Sequence, residues 1–127
     1  STFARAEMLH YQQKYDEAIL KYDSVLTMFV GHSLSDEIYM RKASIYLNNG
    51  KVEDALANYE KIDADWSYDI LADDALYERA RIYDYILSSP ELAMVLYERI
   101  LIEYSSSIYV AESRKRFRDL RGDSLIE

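Results

Sequence analysis

Apolar residues recur at steps of three and four along almost the whole chain. Ala18, Tyr22, Val25, Leu26 and Phe29 fall on one helical face. Further on, Ala93, Val95, Leu96, Tyr97, Ile100, Leu101 and Tyr104 form a wider stripe, of the width expected for a helix buried between two neighbours. The pattern predicts helices over residues 2–12, 15–30, 35–49, 52–63, 69–87, 90–104 and 107–121. Ser89-Pro90 reads as an N-cap followed by proline at the first helical position, where its missing N–H costs nothing. Asn48-Asn49-Gly50 reads as a helix end, because these residues tolerate left-handed backbone. Ser33 or Ser35, Asp69, and Ser106 or Ser107 are placed to cap the helices that follow them.

The helices repeat. Ala6, Ala43 and Ala80 are spaced by 37 residues, and Ala18, Ala55 and Ala93 by 37 and then 38. Around the second series the text recurs: Tyr15-Asp16-Glu17-Ala18-Ile19 with Tyr22, Val52-Glu53-Asp54-Ala55-Leu56 with Tyr59, and Glu91-Leu92-Ala93-Met94 with Tyr97. A fixed period of this size marks a solenoid, in which each unit buries its apolar face against its neighbours. The expected architecture is all-α, a single helical-repeat domain over 1–127. Its antiparallel helix pairs occupy about 2–30, 35–63 and 69–104, and a capping helix occupies about 107–121.

These pairs resemble tetratricopeptide repeats. The resemblance rests on Ala43 with Tyr46 and Ala80 with Tyr83 in the first helices, on Tyr15-Asp16-Glu17-Ala18 with Tyr22 in a second helix, and on the turn glycine Gly50. It covers about residues 3–104 and implies a right-handed α-solenoid, with 107–121 as the terminal solvating helix. Gln13 and Ser88 stand where the family has its turn glycine, and the longer period departs from the usual 34 of the family. The stretch from Glu103 to Glu112 looks like the linker of bacterial cell-envelope members such as outer-membrane assembly lipoproteins. It implies a periplasmic or outer-membrane-associated protein.

Half the residues are hydrophobic and 30% are charged, so the composition is that of a folded chain. Three glycines and one proline leave little punctuation for an all-β fold. A net charge of −8 argues against nucleic acid, whose phosphates need Lys and Arg to displace counterions. No apolar run approaches the ~20 residues of a membrane span. The start at Ser1 reads as a fragment of a longer protein.

By the resemblance, an extended peptide or partner surface lies against a concave face lined by the first helix of each pair. Mapped unit by unit, that face comprises Phe3, Glu7, His10 and Tyr11; Met40, Arg41, Ser44, Leu47 and Asn48; and Tyr77, Glu78, Arg81, Asp84 and Tyr85. Tyr and Arg among both charge signs suit peptide recognition. The carboxylate clamp of one subgroup is absent, since only Arg41 matches it in type and place. The function implied is a protein-interaction scaffold with no catalysis. The alternative is a structural spacer, or a self-association module that dimerises through an exposed unit edge at Phe3, Met8 and Leu9.

No cofactor or metal is expected. Asp63, Asp65, Ser67, Asp69 and Asp74 read as a degenerate calcium loop, but Tyr68 replaces its turn glycine and helix-capping aspartates explain the cluster more simply. His10 and His32, the only histidines, have no nucleophilic set beside them. Arg114, Lys115, Arg116, Arg118 and Arg121 suit the C-terminal end of a solvating helix. Arg121-Gly122-Asp123 spells an integrin tripeptide, but a helix stopping at Gly122 explains it.

Overall fold

All six repeat alanines, Ala6, Ala18, Ala43, Ala55, Ala80 and Ala93, are fully buried. A methyl side chain lets two helix backbones approach where a longer one would hold them apart. These positions come from a computed structural model that describes residues 1–30, 34–65 and 70–123, without the side chains of 63–65. Among the described residues there are seven α-helices and no strand, which is the expected all-α repeat fold. They are α1 (Thr2–Tyr11), α2 (Tyr15–Met28), α3 (Leu34–Asn48), α4 (Val52–Asp65), α5 (Ala72–Arg81), α6 (Pro90–Glu103) and α7 (Val110–Arg121). α5 runs on into a π-helical turn, Ile82–Ile86.

The chain forms two compact units, Ser1–Asn58 and Tyr59–Glu127. In the first, Ala6 and Leu9 of α1 pack with Ala18, Tyr22 and Val25 of α2, and with Ile38 and Ile45 of α3. Lys42 Nζ lies 2.6 Å from Asp23 Oδ1 and ties α3 to α2. In the second, Leu76 and Ala80 of α5 pack with Ala93, Leu96, Tyr97 and Ile100 of α6, and Val110, Phe117 and Leu120 of α7 cover the edge of that cluster. Each buried aliphatic side chain contributes roughly 1.5–3 kcal/mol relative to exposure.

Two tight turns share one geometry although only one holds glycine. Gly50 (φ +76°) ends α3, with Lys51 N–H donating to Tyr46 O at 2.8 Å and Gly50 N–H to Leu47 O at 3.1 Å. Gln13 (φ +62°) ends α1 with the same pair of bonds, Lys14 to Leu9 and Gln13 to His10, both 2.9 Å. Ser88 is left-handed too, at φ +50°. The third unit therefore keeps the conformation the glycine would supply, on a residue that pays a steric penalty for it.

The long second step of the alanine series has a local cause. Ala6 to Ala18 and Ala43 to Ala55 are 12 residues apart, whereas Ala80 to Ala93 is 13. The extra residue falls where the backbone widens into the π-turn, and Leu87 N–H reaches back five residues to Ile82 O at 2.9 Å. A one-residue insertion in a helix held at both ends is accommodated this way.

Several expected ends differ. α5 begins at Ala72 rather than residue 69, with Leu71 at its N-cap position and no capping side chain; Asp69 and Ser33 lie outside the described residues. Ser35 is inside α3 and buried, so it caps nothing. α7 begins at Val110 rather than residue 107, because Ser107 is used in a turn: its Oγ accepts from Tyr109 N–H at 3.1 Å and donates to Asp73 Oδ2 at 2.6 Å. Pro90 is the first residue of α6 as expected, but the Ser89 hydroxyl donates to Leu87 O at 3.4 Å instead of capping. Two residues of the apolar stripes, Val95 and Phe29, are more than half exposed, while Leu9, expected at an open edge, is buried.

Candidate interaction surface

Phe3, Glu7 and His10 follow one another at steps of four and three on α1, so they share a face. Tyr22 arrives from α2 with its ring fully buried and its hydroxyl donating to Glu7. Arg41 Nε, from α3, stands 2.6 Å from the same Glu7 oxygen. The Arg41 guanidinium also lies 3.3 Å from Glu37 Oε2 and 5.8 Å over the Phe3 ring. His10 Nδ1 is 3.2 Å from the Tyr22 oxygen. The single phenol proton goes to Glu7, so the imidazole must be the donor, which places the His10 proton on Nδ1. Burial lowers the His10 pKa; Glu7 pulls it up and Arg41 pushes it down. Burial and the bond to Glu7 raise that of Tyr22.

The second unit repeats the theme with different residues. Tyr97 is fully buried and donates to Asp84 Oδ2 at 2.9 Å. Arg116 of α7 grips the same carboxylate with two bonds, Nε to Oδ2 at 2.8 Å and Nη2 to Oδ1 at 2.9 Å. The Asp84 side chain is only 3% exposed, so the pair is largely desolvated. Its bond to Asp84 raises the Arg116 pKa, and burial with the same carboxylate raises that of Tyr97. Tyr22 and Tyr97 each stand four residues after the repeat alanine of their helix. Tyr59 shares that register and is buried, its phenol pushed up to about 12 by burial first and Glu78 second.

Beside Asp84 lies an aromatic group. Tyr77 stacks on Tyr109 with ring centres 4.2 Å apart, and the Tyr109 hydroxyl donates to Asp74. The Arg81 guanidinium sits 5.9 Å from the Tyr77 ring centre and 6.0 Å from that of Tyr85, and Arg116 is 5.1 Å from the Tyr85 ring centre.

The mapped residues thus divide into three groups. Glu7, His10, Arg41 and Asp84 are engaged by partners within their own unit. Tyr11, Asn48, Arg81 and Tyr85 are exposed, whereas Phe3, Met40, Ser44, Leu47, Tyr77 and Glu78 are half-buried. Helical spacing places Tyr22 and Tyr97 in the packing and Arg116 toward solvent, and it does not show the Tyr–carboxylate–Arg ties. The recurring tyrosine was visible. Its acceptor was not, because Glu7 sits one residue after Ala6 whereas Asp84 sits four after Ala80.

Of the calcium-loop residues, Ser67, Asp69 and the side chains of Asp63 and Asp65 lie outside the described residues, as does His32; Asp74 accepts from Tyr109. On α7, Arg114, Lys115 and Arg118 are exposed, and Arg121 pairs with Asp123 just past the left-handed Gly122, as a helix end requires. Among the described residues no helix is long and apolar enough to cross a membrane.

Compared by sequence, no family model and no characterised protein matches the chain. Compared by structure, it is similar to a tetratricopeptide repeat protein from Parabacteroides merdae, with a TM-score of 0.73 and 24% identity over 96% of this chain. The chain spans 45% of the length of that protein. At that identity the likeness is one of fold, and the chain has the fold of a tetratricopeptide repeat protein.

Proposed function

We propose that this chain is a non-catalytic protein-interaction module that holds an extended partner segment on the concave surface offered by the first helices of its pairs. The observation that carries this reading is the contrast between buried, hydrogen-bonded side chains and exposed ones. Internal ties immobilise the helices through Glu7–Tyr22–Arg41 and Asp84–Tyr97–Arg116. Tyr11, Arg81 and Tyr85 stay open on the first-helix side. A rigid frame carrying exposed Tyr and Arg binds with little ordering cost of its own. The test is selection of a binding peptide from a displayed random library. Arg81→Glu and Tyr85→Ala should each weaken the selected peptide by about tenfold, and Val95→Ser, on the exposed side of α6, should leave it unchanged. Equal weakening by all three, or by Val95→Ser alone, would contradict the reading.

A second reading, self-association, is favoured by a different feature. Phe3, Val25, Met28, Phe29 and Leu34 line an open cavity of about 480 Å3 at one end of the first unit, and Val30 beside it is 86% exposed. Sedimentation at rising concentration tests it: a monomer throughout excludes a dimer through this edge. The linker-like Glu103–Glu112 stretch supports a periplasmic or outer-membrane-associated protein, which fractionation of the source cells would test.

A further inference from the structure

Three arginines stand in the two clusters, and their hydrogen-bonding capacity is spent very differently. Arg41 has Glu7 at 2.6 Å and Glu37 at 3.3 Å. Arg116 has both oxygens of Asp84, with Asp119 Oδ2 at 3.6 Å. Among the described residues Arg81 has only Glu78 Oε1 at 3.7 Å, longer than a hydrogen bond, and its side chain is 49% exposed. The planar fork of Arg81 is nonetheless held, because the rings of Tyr77 and Tyr85 flank it at 5.9 and 6.0 Å. A guanidinium steadied by aromatic faces loses little rotamer freedom when it binds, and its free N–H groups match a carboxylate in two-point geometry.

We infer that Arg81, between Tyr77 and Tyr85, is the anchor for one carboxylate of the partner. The partner is then an extended peptide carrying a single Asp or Glu beside an aromatic or branched apolar residue. This deepens the interaction reading above and rests on it. The apolar neighbour follows from Tyr85, which is 57% exposed and offers ring surface next to the cation. The limit to one negative charge follows from the surroundings. Glu78 is the nearest carboxylate to Arg81, the field of Glu112 reaches Tyr77, and Arg116 is already neutralised by Asp84. A phosphate dianion or an acidic run would add charge that no second free cation among the described residues of this cluster meets, on a chain of net charge −8.

The experiment is an NMR titration of the full chain with two probes, acetyl-Gly-Phe-Asp-Gly-amide and its Asn counterpart. Arg81 Nε–H and the Tyr85 ring report the site. The Asp peptide should bind with a dissociation constant of ~1 mM and the Asn peptide about tenfold more weakly. Arg81→Gln should remove the tenfold preference, leaving both probes at the weaker affinity. Equal affinity for the two probes, or a preference that survives in Arg81→Gln, overturns the inference. If the display-selected peptides still depend on Tyr85 after such a result, the interaction reading stands and only the carboxylate anchor falls. If no selected peptide depends on the first-helix surface, both fall. Melting of Arg81→Gln at the wild-type temperature confirms that the variant is folded.

Discussion

Asp84 shows how much one side chain organises here. It accepts from Tyr97 and twice from Arg116 with almost no contact with water. Removing the cation leaves a buried carboxylate unpaired, so Arg116→Ala should cost about 3 kcal/mol in urea denaturation. Replacing both members with apolar residues, Asp84→Leu with Arg116→Met, should cost less than the single change. Ser113 works in the opposite sense. It is the fully buried small residue of α7, and its hydroxyl has no partner among the described residues. Ser113→Ala should therefore stabilise the chain by about 1 kcal/mol. His10 predicts a pH dependence. Burial lowers its folded pKa below the ordinary 6.5, so below that value the unfolded chain takes up a proton that the folded one resists. Stability from this group is complete above the unfolded pKa and falls as pH drops toward the folded one. Melting measured from about pH 7.5 down to about pH 5.5 should show a smaller decline in His10→Gln than in the wild type. At this scale the sequence was least legible. Burial of Tyr22 and Tyr97 follows from helical spacing, but which carboxylate each hydroxyl meets depends on helix crossing, which spacing does not encode.

At the scale of elements the chain was far easier to read. The period, the number of helices, Pro90 at the start of α6 and the glycine ends at Gly50 and Gly122 all appear where local chemistry places them. The late starts of α5 and α7 were not legible. Ser107 is an equally good cap or turn residue by type, and its bond to Asp73, 34 residues away, decides between them. The π-turn was legible only as a spacing of 38 in place of 37, which does not say where the extra residue goes. The turns carry a prediction of their own. Gln13→Gly and Ser88→Gly should each stabilise the chain by about 0.5–1 kcal/mol, the αL penalty relieved less the added chain entropy. Gly50→Ala should cost about 1 kcal/mol from backbone conformation alone, since a Cβ there meets nothing within 4 Å. Thermal melts of the three variants check the pair of signs.

At the scale of the whole molecule, each of the two units is tied together internally, and the proposed function gives the exposed first-helix residues to a partner. The six buried alanines and the recurring tyrosines pack the units; Tyr11, Arg81 and Tyr85 are among the first-helix residues left exposed. Burial separates these two sets, and composition does not, because tyrosine belongs to both. The most direct measurement is hydroxyl-radical footprinting of side chains with and without a display-selected peptide. The proposed function predicts that labelling of Tyr85 falls on binding, whereas labelling of Leu92 and Ile102 on the exposed side of α6 does not change. Protection confined to Leu92 and Ile102, with Tyr85 labelled as fast as in the free chain, would contradict it.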